Sequence, residues 1–149
     1  MAKKRHTVKN TVMTTLDKTI LFLGQTFEGH THDYTMLKEE FPPEVTWFEL
    51  LQVLVDLGYQ GIRSDYVGDA IQIPHKKPRK SKKNPVTALT DEQRAENRAL
   101  SSIRIFVENA ICGLKRYNIL VHRFRNHRNS FDDDVISIAA GLWNFNLCY

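Results

Sequence analysis

The hydrophobic and polar positions at the start of the chain predict two strands followed by a helix. β-Branched residues recur over residues 7–14, and a compact apolar run occupies residues 19–23, a pattern that favours β-strands. The polar stretch 16–18 between them has the length of a hairpin turn. A helix is predicted to begin at His32-Asp33 and to continue through Glu40, because the two prolines that follow cannot continue it.

Two longer helices are predicted in the second half of the chain. Thr90 and Gln93 form the sequence of a capping box, which marks a helix start, and apolar residues continue at helical spacing to about Lys115. A last helix begins near Ser130, with three consecutive aspartates in its first turn. Between these regions, residues 52–55 fit a third strand. A helix over residues 47–55 fits equally well, since periodicity does not separate the two in so short a run.

The composition is that of a globular protein with an excess of positive charge. The length of 149 residues suits one domain, and 42% hydrophobic and 26% charged residues are ordinary values. No apolar run approaches the ~20 residues of a membrane helix, and none follows the basic N-terminus as a signal peptide requires. Cys112 and Cys148 lack metal-site spacing and are expected to be reduced thiols. The net charge of +4 favours a polyanionic partner such as nucleic acid.

Much of the positive charge lies in one segment, residues 74–88, which we predict to be an extended, mobile loop. It contains three prolines, and six cations lie within eight positions, at Lys76, Lys77, Arg79, Lys80, Lys82 and Lys83. Cations at this density bind the phosphate backbone of DNA without reading its sequence, although a purely solvated loop has the same composition. Arg104, Lys115 and Arg116 extend the positive surface.

Asp56 is the first candidate for chemistry, because it ends the predicted strand 52–55. An aspartate in this place commonly forms a turn. It can also hold a metal ion, because ligands of open α/β sheets bind just beyond the strand ends. The apolar residues before it suggest a strand buried on both faces. Gly58 and Gly61 would let the backbone come close to a metal or a phosphate.

Glu108 is the second candidate, just outside the apolar stripe of the predicted helix 90–115. Arg104 lies four residues before it, so a solvated ion pair is the better explanation when Glu108 is considered alone. The same position also suits a helix that presents one carboxylate to a metal site, with cations beside it for phosphate.

The amino-acid sequences of these segments resemble those of the catalytic domain of DDE transposases, in the insertion-sequence branch related to Harbinger elements. The similarity covers nearly the whole chain. It includes Lys3-Lys4-Arg5-His6-Thr7, His32-Asp33, Val53-Leu54-Val55-Asp56-Leu57-Gly58-Tyr59-Gln60-Gly61, Arg104-Ile105-Phe106-Val107-Glu108, Leu114-Lys115-Arg116-Tyr117 and Ala139-Ala140-Gly141-Leu142-Trp143-Asn144.

The resemblance implies an α/β fold of the ribonuclease-H-like type and metal-dependent cleavage and strand transfer of DNA. Asp56 and Glu108 align with the second and third catalytic carboxylates of the family. Three such carboxylates would hold two Mg²⁺ or Mn²⁺ ions. The implied partners are the transposon ends and the target DNA, in the cytoplasm of a bacterium and associated with its nucleoid, with no role at a membrane.

One departure from the family pattern concerns the first catalytic aspartate. In the family it lies on a strand upstream of the Lys-Lys-Arg-His-Thr segment, and here only Met1 and Ala2 precede that segment. Residues 1–149 are therefore expected to be the C-terminal part of a catalytic domain, without its first strand and inactive alone. Self-association, or an upstream transposase fragment, would supply the missing part. The alternative is a non-catalytic remnant that binds DNA or another protein.

Two acidic or histidine-rich clusters are better explained by helix starts than by metal binding. Asp132, Asp133 and Asp134 point in different directions on a helix, and carboxylates in a first turn are stabilised by the helix dipole. The cluster His30-Thr31-His32-Asp33 lacks partners at zinc-site spacing. A role beside the metal ligands, supporting them without binding the metal, is the alternative for His32 and Asp33.

Overall fold

The computed structural model describes residues 7–78, 88–122, 126, 128 and 130–148. The chain has mixed α/β structure with small two-stranded sheets. It divides into two compact units, of which the first comprises Met1–Thr31 and Ile103–Tyr149 and the second comprises His32–Ser102.

The described residues contain short strands and four α-helices. In chain order these are β1 (Val8–Lys9), β2 (Val12–Thr14), β3 (Ile20–Leu23), β4 (Phe27–Glu28), α1 (Asp33–Glu40), β5 (Val53–Leu54), α2 (Ile62–Asp65), β6 (Ile71–Gln72), α3 (Asp91–Lys115) and α4 (Phe131–Cys148), with 3₁₀ turns at Leu57–Tyr59 and Asn118–Leu120. None of these helices combines the length and apolarity that crossing a membrane requires.

The first unit begins with the predicted hairpin. Strand β2 pairs antiparallel with β3, and the turn is closed by the Thr15 N–H, which donates to the Thr19 carbonyl at 2.9 Å. The first predicted strand is interrupted, however, so that β1 pairs separately with β4. The interruption lies at Asn10, whose side-chain amide donates to the Gly24 carbonyl at 3.1 Å and to the Thr26 hydroxyl at 2.9 Å.

Helices α3 and α4 complete the core of the first unit. The buried residues are Ile20, Ala110, Leu114, Ala139 and Ala140. Small residues let the two helices approach closely: a Cβ atom at Gly113 would overlap the Trp143 indole.

Residues near the end of α4 also hold the hairpin. The Trp143 indole N–H donates to the Lys18 carbonyl at 2.9 Å. The Asn144 side-chain amide both accepts from the Ile20 N–H and donates to the Ile20 carbonyl, each at 2.9 Å. Asn144 thereby pairs with the backbone of β3 as a neighbouring strand would.

The predicted helix boundaries in this part of the sequence are confirmed. At the start of α3, the Gln93 N–H donates to the Thr90 hydroxyl at 3.2 Å and the Thr90 N–H donates to the Gln93 side chain at 3.1 Å, so the capping box is formed. The helix ends at Lys115. Helix α4 begins at Phe131, one residue after the predicted start.

The second unit contains α1, α2 and a small parallel sheet. Strand β5 pairs with β6, with Val53 opposite Ile71 and Leu54 opposite Gln72. The buried side chains are Met36, Leu37, Phe48, Ile62, Tyr66 and Ile71. The Tyr66 hydroxyl fastens the end of α1 by donating to the Phe41 carbonyl at 2.6 Å.

Strand β5 confirms the strand interpretation over the helical one, but the expectation that it is buried on both faces is wrong. Leu54 is 36% exposed, and Val53 is half-buried. The physical reason is the size of the sheet: among the described residues β5 has β6 as its one hydrogen-bonded neighbour, and a two-stranded sheet leaves much of its strands accessible.

Candidate metal and nucleic-acid site

Asp56 lies two residues after the end of β5 and forms the turn that its position predicts. Its Oδ1 accepts from the Leu57 N–H at 2.6 Å, and its carbonyl accepts from the Tyr59 N–H at 3.1 Å. The carboxylate therefore caps the 3₁₀ turn Leu57–Tyr59 while lying at the exposed end of the strand. We refer to residues 56–61 as the Asp56 turn.

Asp33, the first residue of α1, lies beside this turn. A Cβ atom at Gly58 would come within 3.0 Å of the Asp33 Oδ2 atom. Both Asp33 and Asp56 also act on Tyr59: burial raises the pKa of Tyr59 to about 12, with further contributions from the negative charges of Asp33, Glu40 and Asp56. Several acidic side chains therefore lie around the half-buried phenol of Tyr59.

His32 caps helix α1, so the helix-entry interpretation of the cluster is confirmed, with His32 as the capping residue. Its Nδ1 accepts from the Tyr34 N–H at 3.2 Å, so the ring satisfies a helix N–H group that otherwise lacks an intrahelical partner. Although His32 is adjacent in sequence to Asp33, it has its own structural role, which is to cap helix α1.

The two glycines of the Asp56 turn have a packing role that the sequence did not reveal. Gly58 leaves room for Asp33, and a Cβ atom at Gly61 would lie 3.3 Å from the Tyr34 ring. Gly61 also has φ of 103°, in the left-handed region that favours glycine. These glycines accommodate the first turn of α1, whereas the sequence suggested approach of a metal or phosphate.

Glu108 has a simpler environment on the exposed face of α3. Its Oε1 atom lies 3.1 Å from Arg104 Nε, and the two side chains are 57% and 55% exposed. The predicted i, i+4 ion pair is therefore formed. Glu108 belongs to the first unit and Asp56 to the second, and the proximity of the two carboxylates stays a prediction.

The proposed ligands have the right chemistry for the metal that the resemblance implies. Carboxylate oxygens are hard ligands, which Mg²⁺ and Mn²⁺ prefer. Within the described ranges, no group of three or more His, Cys, Asp or Glu side chains is arranged to hold a metal ion. The donor type therefore fits, and a complete coordination shell is not assembled from these residues.

The basic segment begins next to His75, which is hydrogen-bonded to helix α3. The His75 N–H donates to Asn97 Oδ1 at 2.7 Å, and the Asn97 side-chain amide donates to the His75 carbonyl at 3.0 Å. The His75 ring lies 2.5 Å from a Glu96 carboxylate oxygen. Lys76 and Lys77 follow immediately without regular structure. The other predicted DNA contacts of the segment, Arg79, Lys80, Lys82 and Lys83, lie outside the described residues.

The remaining predicted cations belong to the first unit. Arg104 pairs with Glu108, and Lys115 and Arg116 are exposed at the end of α3. Tyr117 beside them packs against the buried core of this unit.

Among the residues that the sequence argued against as metal ligands, Asp133 has a structural contact. Asp133 Oδ1 accepts from the Thr26 N–H at 2.8 Å, so the acidic first turn of α4 also holds the segment before β4. Cys112 and Cys148 are free and exposed, in agreement with their prediction as thiols.

Comparison with known proteins identifies the family. The DDE superfamily endonuclease family matches residues 1–144. The chain is 35% identical over 120 residues to a probable transposase for insertion sequence element IS702 from Microchaete diplosiphon; this match covers 80% of the chain and 39% of that relative, so the chain spans about two fifths of the relative's length. No solved structure matches. The family match extends over both carboxylate segments, and the chain therefore belongs to the DDE superfamily endonucleases, as a transposase-type domain of a mobile element.

Proposed function

We propose that this chain contributes two metal-binding carboxylates and a DNA-binding surface to a transposase of the ribonuclease-H-like type. The family match over residues 1–144 carries the proposal. Local structure supports it, since Asp56 lies at the exposed end of a parallel strand, where α/β proteins commonly bind ligands. The substrate is DNA, at the ends of a mobile element and at its target, in the nucleoid of a bacterial cell.

In this proposal Asp56 and Glu108 hold Mg²⁺ or Mn²⁺, and His32 and Asp33 support the Asp56 turn. Divalent ions held by these carboxylates would supply activation of an attacking hydroxyl and charge stabilisation at the leaving oxygen in phosphodiester cleavage. The turn fixes the backbone that carries Asp56, and Arg104 beside Glu108 provides positive charge for phosphate. Lys115 and Arg116 extend that positive charge.

The family pattern assigns a third carboxylate to a strand before Lys3, so we propose that it comes from elsewhere. Its source is polypeptide preceding this stretch or a second transposase chain. Residues 1–149 by themselves are then expected to show no metal-dependent nicking or strand transfer, because a two-metal site needs all its ligands to align nucleophile and leaving group.

The metal site is tested by titrating residues 1–149 with Mn²⁺ and following paramagnetic broadening of backbone amide signals. The signals of Leu57 and Asn109 are expected to broaden at the same Mn²⁺ concentration, and Asp56→Asn or Glu108→Gln is expected to weaken both effects. Asp69→Asn and Glu92→Gln are matched controls, since both carboxylates are exposed and belong to neither segment. Broadening of one signal without the other would contradict the shared site.

DNA binding is tested separately by replacing the six cations between residues 76 and 83 with Gln. We expect weaker binding and a flatter salt dependence, because each lost phosphate contact reduces the slope of log K against log salt by about 0.9. An unchanged affinity and slope would make the segment a solvated linker. Binding that persists while Mn²⁺ has no effect at Asp56 would support the non-catalytic alternative.

A further inference from the structure

Tyr34, the second residue of α1, fills the space beside the Asp56 turn. Its ring carbon Cε1 would lie 3.3 Å from a Cβ atom at Gly61, and its hydroxyl oxygen 3.7 Å. The ring therefore rests against the backbone at the end of the turn. Asp33 makes the corresponding approach at Gly58, so consecutive residues of α1 face the two glycines.

The Tyr34 hydroxyl is itself held in place by a charged pair. It donates to Asp65 Oδ2 at 2.7 Å, and the same oxygen forms an ion pair with Lys38 Nζ. Lys38 lies one helical turn after Tyr34, with its Nζ 4.6 Å from the centre of the Tyr34 ring, within the range of a cation–π contact. Tyr34, Lys38 and Asp65 thus connect α1 to the end of α2.

The electrostatics of this network keep both hydrogen-bonding partners in the required protonation states. Hydrogen bonds from Lys38 and then Tyr34 hold the pKa of Asp65 below its usual value. Burial, together with the hydrogen bond to Asp65, raises the pKa of Tyr34. At neutral pH Tyr34 is therefore a donor and Asp65 an acceptor.

The Asp56 turn and α2 are consecutive in the chain, and each is closed by its own backbone hydrogen bonds. Asp56 accepts from the Tyr59 N–H, and the Gly61 carbonyl accepts from the Ser64 and Asp65 N–H groups at 2.9 and 3.2 Å. A contact at Gly61 together with a bond to Asp65 thus restrains the segment at two points, and the restraint reaches Asp56 through the turn.

We infer that Tyr34 is a positioning residue that fixes the Asp56 turn through its ring contact with Gly61 and its hydroxyl bond to Asp65. The consequence for metal binding rests on the proposed function, in which Asp56 is a ligand. The restraint on the turn does not, because it follows from the contacts within this unit.

The test compares Tyr34→Phe with Tyr66→Phe in residues 1–149. Each change removes one hydroxyl hydrogen bond in the same unit, and Tyr66 donates to Phe41, away from the turn residues. We expect Tyr34→Phe to accelerate amide hydrogen exchange at Tyr59, Ser64 and Asp65 by about threefold to tenfold, because a hydrogen bond to a partly exposed carboxylate is lost. Tyr66→Phe should leave the exchange at these amides close to wild type.

A second measurement separates positioning from general stability. The Mn²⁺ affinity, measured from broadening of the Leu57 amide signal, should fall by about threefold in Tyr34→Phe. It should stay unchanged in Tyr66→Phe when the two variants have equal thermal stability. Asp65→Asn should reproduce the exchange result. Unchanged exchange in both Tyr34→Phe and Asp65→Asn would overturn the inference. If wild type shows no Mn²⁺ effect at Leu57, the metal proposal fails, and the exchange comparison still decides the role of Tyr34.

Discussion

Asp56 and Glu108 are held in very different ways, although the proposed function assigns both to metal binding. Asp56 caps its own turn, and α1 packs against that turn at Gly58 and Gly61. Glu108 lies on an open helix face, where Arg104 is the ion-pair partner that the structure gives it. The backbone of the first carboxylate is therefore fixed by local packing, whereas the second can change its side-chain conformation at small cost.

This difference suggests separate contributions to a metal site. A carboxylate on a restrained turn provides preorganised geometry, which reduces the entropy lost on binding. A carboxylate in a solvated ion pair can leave its partner for a metal ion, since such a pair contributes only a few tenths of a kcal/mol.

Gly61→Ala should have the largest effect on this comparison. Alanine would be strained at φ of 103° and would press against the Tyr34 ring, so we expect a loss of about 1–3 kcal/mol in the free energy of unfolding. Urea denaturation measures this value. Gly141→Ala is the control, because a Cβ atom there would meet nothing within 4 Å and alanine favours helices by about 1 kcal/mol. Equal stability of the two variants would show that the turn is not restrained.

Local signals predicted much of this structure, and long-range side-chain contacts were not predictable. The Thr90–Gln93 capping box and the end of α3 follow from neighbouring residues, so sequence located them correctly. Asn97, Asn144 and Tyr34 act on segments distant in the chain, and nothing in their own neighbourhood indicates it. The burial of β5 was overestimated because an apolar strand sequence does not reveal how many strands will pair with it.

Tyr59 offers a pH-dependent way to examine the same turn. Its pKa is raised from 10.0 to about 12 by burial and by nearby carboxylates. The folded state therefore keeps the phenolic proton at pH values where the unfolded chain loses it. Stability from this group is complete below pH 10 and falls as pH rises to about 12.

Urea denaturation between pH 9 and 12 measures this dependence, and Tyr59→Phe should reduce its slope. The difference between the phenolate absorbance titrations of wild type and Tyr59→Phe gives the pKa of Tyr59. A Tyr59 pKa near 10 in the folded protein would contradict the effect of burial and nearby carboxylates on this half-buried ring, and it would weaken the contrast with the open surface at Glu108.

The smallest effects on the free energy of unfolding are expected from removing the two carboxylates themselves. The ratio of these two effects tests the comparison directly. Asp56→Ala should lower the free energy of unfolding by about 1 kcal/mol, because the turn loses its cap. Glu108→Gln should change it by less than about 0.5 kcal/mol, since an exposed i, i+4 pair contributes little. Asp56→Asn is the matched control, because asparagine retains the capping oxygen without the charge. If Glu108→Gln proved more destabilising than Asp56→Ala, Glu108 would have to be a structural anchor, and its availability to a metal ion would have to be reconsidered.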